Sequence, residues 1–274
     1  MKYKIIVDSS SDLTNDYLKD EAIDFEVVPL TIHVDKNEFV DDENIDIPLM
    51  LETMKNFNGK STSSCPSPGD YVKSITADYN FCITISSKLS GSNNSANLAK
   101  NICEDKNVFV IDSKGTAGMM ELIVDELVRL IKEGNSYDEI CSKILKFRDN
   151  LNLFFVLESF DNLVKNGRMS KFSALFAKLI KIRPLCIASD GDIKMHKTVR
   201  TRWAALDAMI DEIANSNIDF NNRVCIISHT FAEDDALKIK EKLLARCPFK
   251  EVRIRPTRGL CSFYALTKGI ICSY

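Results

Sequence analysis

Several things are scarce or missing in this chain, and each removes a class of function. No apolar stretch approaches the roughly 18 residues that a membrane-spanning helix requires, so no segment is expected to cross a bilayer. The N-terminal MKYKIIVDSSSD turns polar after seven residues and does not read as a secretory signal, so a cytoplasmic location is expected. Positive charge is not in surplus. Lys and Arg total 36 against 39 Asp and Glu, for a net charge of −3 and a pI near 5.8, which argues against a general nucleic-acid binder. The nine cysteines, at 65, 82, 103, 141, 186, 225, 247, 261 and 272, form no CxxC pair. Several lie in apolar runs, such as Val224-Cys225-Ile226-Ile227, and read as free buried thiols of a reducing compartment. HExxH, GxGxxG and GxSxG are all missing, and His33, His196 and His229 are far apart. Gly59-Lys60-Ser61 resembles the end of a P-loop, but Met54 stands where the earlier glycine belongs. No metal or cofactor is expected.

With 274 residues, 45% of them hydrophobic and 27% charged, the chain is long enough for two modest domains with real cores. Short apolar runs at 3–7, 25–34, 81–86 and 108–111 read as strands. The run 116–132 has apolar residues at helical spacing and ends at Gly134, a C-cap residue. Strand–helix alternation of this kind predicts an α/β layer with a mainly parallel sheet. Beyond it come an apolar run at 151–157, a helix over 172–180 and a hairpin of 182–188 with 193–199 around Asp190-Gly191. Helices near 202–214 and 233–246 and strands at 224–228 and 252–254 follow. The fold class is therefore α/β in two domains, an N-terminal mainly parallel α/β sheet over 1–150 and a C-terminal α+β domain over 151–274.

The apolar runs end in small polar residues: Asp8-Ser9-Ser10, Ser86-Ser87, Asp112-Ser113 and Ser228-His229-Thr230. In an open parallel sheet, ligands bind beyond the carboxyl ends of the strands. The plainer reading of any one of these residues is a cap on the following helix. The density is greatest in ISSKLSGSNNSA, residues 85–96, with five serines and two asparagines. A second cluster, STSSCPSPGD, spans 61–70. There Ser67-Pro68-Gly69-Asp70 reads as a helix start, which leaves Ser63 and Ser64 free to meet a ligand. Hydroxyls and loop amides near a helix N-terminus attract anions, and Gly91 lets backbone come close to one. On these grounds a carboxylate and a phosphate fit equally well.

VDSSSDL at 7–13, TSSCPSPGDY at 62–71, ISSKLSGS at 85–92, VIDS at 110–113 and NGRMS at 166–170 resemble, in order and spacing, the motifs of the DegV family. The resemblance implies two α/β domains with a fatty-acid head group between them. It also implies a buried acyl chain and, in some members, presentation of the carboxylate to an ATP-dependent fatty acid kinase subunit. Carried onto this chain, it implies head-group contacts from Ser63 and Ser64, with Thr62 as a one-residue alternative, and from Ser90, Gly91 and Ser92. Arg168 falls on the family's GGR arginine, for organising the head group or meeting the kinase. The family's GxHTGPGxxG segment corresponds to GLCSFYALTKG at 259–269, so Cys261 stands where its histidine would be, and Ser262 is a candidate to take over. Lys88 replaces a common glycine and adds a cation beside the serine loop.

Phe172, Leu175, Phe176 and Leu179, one helix stripe, are the candidates for the acyl-chain pocket, though such a stripe also suits plain core. Burying a sixteen-carbon chain gains on the order of 10 kcal/mol at about 0.8 kcal/mol per methylene, part of it offset by the cost of association. The resulting expectation is a binding protein with no catalytic residue of its own, no cofactor beyond the lipid ligand, and at most transient contact with a membrane surface. The alternatives are a hydrolase or transferase using Ser90 or Ser228 with His229, and a regulatory sensor of a lipid or other anion.

Overall fold

The computed structural model describes residues 2–169 and 182–274. Its first layer is a four-stranded, wholly parallel sheet. In spatial order its strands are β2 (Ile23–Val28), β1 (Tyr3–Asp8), β6 (Tyr79–Thr84) and β7 (Asn107–Asp112). The central strands are apolar on both faces, because helices cover both sides. Ile5 and Val7 meet the face covered by α4 (Gly118–Lys132) and α5 (Tyr137–Asp149). Ile6 and Cys82 meet the face covered by α2 (Pro68–Ser74) and α3 (Ser92–Ile102). Helix α4 follows its expected stripe, with Met120, Ile123, Val124, Leu127, Leu130 and Ile131 on the core side. Gly134 turns the chain out of it at φ +76°.

The run 25–34, read from sequence as one strand, is two. Pro29, which has no N–H to donate, ends the first sheet's edge strand after Val28. Thr31–Val34 (β3) then joins a separate antiparallel sheet of order β4-β3-β5, with β4 spanning Asn37–Val40 and β5 Thr62–Ser64. Helix α1 (Ile47–Asn56), capped by Asp46, lies between β4 and β5 in the chain. Ser67 and Asp70 form the expected reciprocal cap of α2.

The second large sheet is mixed and has six strands. Its order is β10 (Asp192–Val199), β9 (Arg183–Ser189), β8 (Leu153–Val156), β13 (Ile270–Ser273), β11 (Val224–His229) and β12 (Glu251–Pro256). The predicted hairpin is present, with Asp190 and Gly191 at φ +49° and +80° as a two-residue turn requires. Strand β13 was not expected from the pattern, yet it pairs antiparallel with both β8 and β11 and sits mid-sheet. One face of this sheet packs on α7 (Arg202–Ala214) and α8 (Glu233–Leu244), using Val156, Ile227 and Ile270. The opposite face carries Leu153, Phe155, Cys186 and Ile271 towards the first layer. A short helix, α9 (Gly259–Ala265), and a five-residue helix, α6 (Asp161–Lys165), lie where the layers meet. No helix among the described residues is long and apolar enough to cross a membrane.

Candidate functional site

The carboxyl ends of the parallel strands are tied together by one carboxylate. Asp8 ends β1 and caps a single 3-10 turn, Ser9–Ser11. Its Oδ1 accepts from the Ser10 amide at 3.2 Å and from Ser10 Oγ, and its Oδ2 accepts from the Ile85 amide at 2.9 Å and Ser92 Oγ at 2.6 Å. Burial pushes the Asp8 pKa up, against the downward pull of those hydrogen bonds. Tyr71 OH lies 2.7 Å from Ser92 Oγ, so Ser92 is held beneath the serine loop. Ser86 Oγ donates to the Gly191 carbonyl at 2.6 Å, and Ser87 Oγ donates to Asp112. Much of the hydroxyl density seen in the sequence therefore builds and anchors the loop itself. Ser90 differs, since its Oγ accepts from the Ser92 amide at 3.3 Å and the residue lines a cleft.

That cleft lies between the strand-end loops and the inner face of the second sheet. It has about 820 Å³ of free space, counting the part open to solvent. Its walls are mainly apolar: Ile85 and Leu89 from the serine loop, Leu153, Phe155 and Ile271 from the second sheet, Leu163 from α6 and Leu260 from α9. Polar side chains gather in Ser63, Ser90, Thr116, Arg168, Cys261 and Tyr264. Ser63 Oγ is 3.0 Å from Tyr264 OH. The Arg168 guanidinium stands 5.8 Å from the centre of the Tyr264 ring. It also donates to the carbonyls of Leu89 at 3.1 Å and Asn166 at 2.6 Å. Burial pushes the Tyr264 pKa up, so the phenol is a neutral donor at physiological pH.

Helix α9, which brings Cys261 and Tyr264 to the cleft, is held at its start by two buried carboxylates. Asp41 accepts from the amides of Gly259 at 2.8 Å and Leu260 at 2.9 Å, while Asp12 accepts from the Arg258 amide at 2.7 Å. A Cβ at Gly259 would fall 2.5 Å from Asp41 Oδ1, so this contact requires glycine. Burial pushes Asp12 up to about 8, helped by the nearby Asp41 charge and opposed by the Arg258 amide. Burial likewise takes Asp41 to about 6. Cys261 Sγ donates to the Ser10 carbonyl at 3.4 Å and lies 3.4 Å from Thr116 Oγ1, which itself reaches the same carbonyl at 3.0 Å. Burial raises the Cys261 thiol well above its ordinary pKa and keeps it protonated.

Of the residues expected at a head group, Ser63, Ser90, Arg168 and Cys261 converge on the cleft. Thr62 and Ser64 flank Ser63 on β5, whose alternation aims them at the other face. Ser64 is exposed and lies 3.0 Å from His33 Nε2. Lys88 and Gly91 line a shallow open depression outside, which shares Ser90 and Arg168 with the cleft. Lys88 is ion-paired with Asp190 at 3.2 Å. Ser92 and Ser262 are buried away from the cleft, Ser262 with Thr257 at 2.8 Å. The acyl-pocket candidates Phe172, Leu175, Phe176 and Leu179 lie outside the described residues. His229 accepts the Ala232 amide on Nδ1 at 3.2 Å and faces a separate groove with Thr257 and Ser262, not the cleft lined by Ser90. Tyr264 and Thr116 were not singled out in the sequence. Tyr264 sits in the very segment that departs from the family pattern, and a hydroxyl gained there is the signal that could have found it.

The family model described as "Uncharacterised protein, DegV family" matches residues 2–270. A DegV domain-containing protein of Streptococcus pneumoniae is 37% identical over 282 residues, covering 100% of this chain and 99% of that protein. The crystal structure of the Streptococcus pneumoniae Fatty Acid Kinase B3 protein loaded with linoleic acid is similar with a TM-score of 0.93 at 36% identity, over 100% of this chain and 99% of that one. A DegV family protein from Eubacterium eligens loaded with heptadecanoic acid is similar with a TM-score of 0.90 at 30% identity, over 99% of this chain and 98% of that one.

Proposed function

Because the chain belongs to the DegV family, we propose that it binds a long-chain fatty acid, tail in the cleft between the two large sheets, carboxylate at Ser63, Ser90 and Arg168. The observation that carries this reading is the polarity of the cleft. It is a mainly apolar slot, open to solvent on one side, whose polar side chains include hydroxyls not fully used within the protein. Such a slot takes an amphipathic anion: the walls reward methylene burial, and neutral donors beside a guanidinium suit a carboxylate. The fatty acids carried by two structural neighbours support the same ligand class.

We further infer that the protein acts as a cytoplasmic carrier that offers the carboxylate to a separate ATP-dependent kinase subunit. The neighbour whose printed name is Fatty Acid Kinase B3 supports this. The open depression lined by Lys88 and Asn93 shares Ser90 and Arg168 with the cleft, so a partner could reach the head group without unseating the tail.

Mass spectrometry of the purified protein, native and then denatured, tests the ligand. A stoichiometric fatty acid is expected, with retention reduced in Ser90→Ala. A protein that is empty and also takes up no fatty acid of any length would overturn the reading. Labelling with a fluorophosphonate tests for a nucleophilic serine. The carrier predicts no stoichiometric, site-specific adduct.

A further inference from the structure

A count of protons at the cleft narrows which groups receive the ligand. Cys261 and Thr116 both reach the Ser10 carbonyl, at 3.4 and 3.0 Å, so their protons point into the protein. Lys114 also lines the cleft, but its ammonium pairs with Asp149 at 3.1 Å and Asp190 at 2.9 Å. Ser63 and Tyr264 are 3.0 Å apart, and together they hold two O–H protons and share one hydrogen bond. One proton of that pair is left for a ligand. Either hydroxyl can donate across this 3.0 Å contact. A phenol is the more acidic hydroxyl and the better donor, which favours the arrangement with Tyr264 donating to Ser63 Oγ and the Ser63 proton left for the cleft.

We propose that Tyr264 is a positioning residue for the carboxylate, turning and polarising the Ser63 hydroxyl, and that Cys261 beside it makes no direct contribution to head-group affinity. This rests on the fatty-acid reading above. Three features make Tyr264 suited to the task. Its ring is fixed edge-on against Phe263, at 4.6 Å between centres. Its outer side meets Arg168. Its helix is anchored at the amides of Gly259 and Leu260 by Asp41. The phenol is therefore oriented before any ligand arrives, which lowers the cost of ordering the site.

The test is equilibrium binding of radiolabelled oleate to the full chain, with methyl oleate as the uncharged reference. Variants are Tyr264→Phe, Ser63→Ala, the double variant and Cys261→Ala. A hydrogen bond to a charged group implies a loss of about 10–100-fold for Ser63→Ala. Tyr264→Phe, which keeps the ring, is expected to lose about 3–10-fold for oleate and less than about 2-fold for methyl oleate. Added to Ser63→Ala it should cost nothing further, because it acts through that hydroxyl. Cys261→Ala should stay within about 2-fold of wild type. Equal losses for acid and ester, full additivity in the double variant, or a larger loss in Cys261→Ala would each overturn the assignment. If the wild-type chain binds neither compound, it is the fatty-acid reading that fails.

Discussion

Asp12 and Asp41 show how a single side chain's surroundings set behaviour that composition cannot reveal. Asp41 is buried and Asp12 is half-buried with its carboxylate enclosed, and both hold their proton to higher pH than an exposed aspartate, about 6 and about 8 respectively. In the unfolded chain each titrates near 4. Between roughly pH 4 and 8 the folded state therefore binds more protons than the unfolded one, and stability falls as pH rises. Asp12→Asn removes the larger share of this dependence while keeping the acceptor for the Arg258 amide. Asparagine also tolerates the left-handed backbone at φ 60°. Urea unfolding at pH 5 and pH 8 should show a decline for wild type that is clearly flatter in the variant; parallel declines would sink the idea. VDSSSDL contains both Asp8 and Asp12, but nothing in the string distinguishes the tie between strand ends from the brace of α9. Burial and partners separate them.

At the scale of an element, the β9–β10 hairpin is a wall of the cleft pinned to the serine loop. Asp190 at its tip lies between Lys88, at 3.2 Å, and Lys114, at 2.9 Å, which hold its carboxyl down at about 2. Gly191 stands at φ +80°, and a Cβ there would fall 2.7 Å from Ser86 Oγ. Gly134 has a similar φ of +76°, with nothing within 4 Å of its would-be Cβ. Gly134→Ala should cost about 1 kcal/mol for the backbone alone. Gly191→Ala should cost about 1 kcal/mol more, because it also dislodges Ser86. Chemical denaturation of the two variants decides this, and equal costs would mean that the hairpin tip yields freely. The hairpin was legible because Asp-Gly between apolar runs encodes its own turn. The division of 25–34 into two strands was less so: Pro29 is visible, but which sheet each half joins depends on partners far along the chain. Strand β13 escaped for the same reason, being four residues whose central position is given by β8 and β11.

At the scale of the molecule, the two layers are joined through Glu121 of α4, buried and bonded to Arg253 at 3.0 Å and Arg255 at 2.9 Å on β12. Asp125 adds a second contact to Arg253 at 2.5 Å. Removing one partner of such a network leaves charge poorly solvated. Because Arg255 is 42% exposed and can rehydrate, Glu121→Ala should cost roughly 2–3 kcal/mol, below the range for fully buried pairs. Glu133→Ala, which breaks an exposed pair with Arg129, should cost under about 0.5 kcal/mol. Thermal melts that show equal effects would contradict a joining role for Glu121.

The sequence by itself determined the α/β class, the parallel character of the first sheet, the cap at Ser67, the turn at Asp190-Gly191 and the membership in the DegV family. Each of these is written in local periodicity or in short motifs, which act over a few residues. Only the tertiary structure decided which hydroxyls face the cleft. Ser63 and Ser90 face it while Ser92 and Ser262 turn inward, and Tyr264 comes from 201 positions away to meet Ser63. Serines are alike as letters. What a hydroxyl can offer a ligand depends on where its proton already goes, and that is set by neighbours brought together only when the two sheets close on each other.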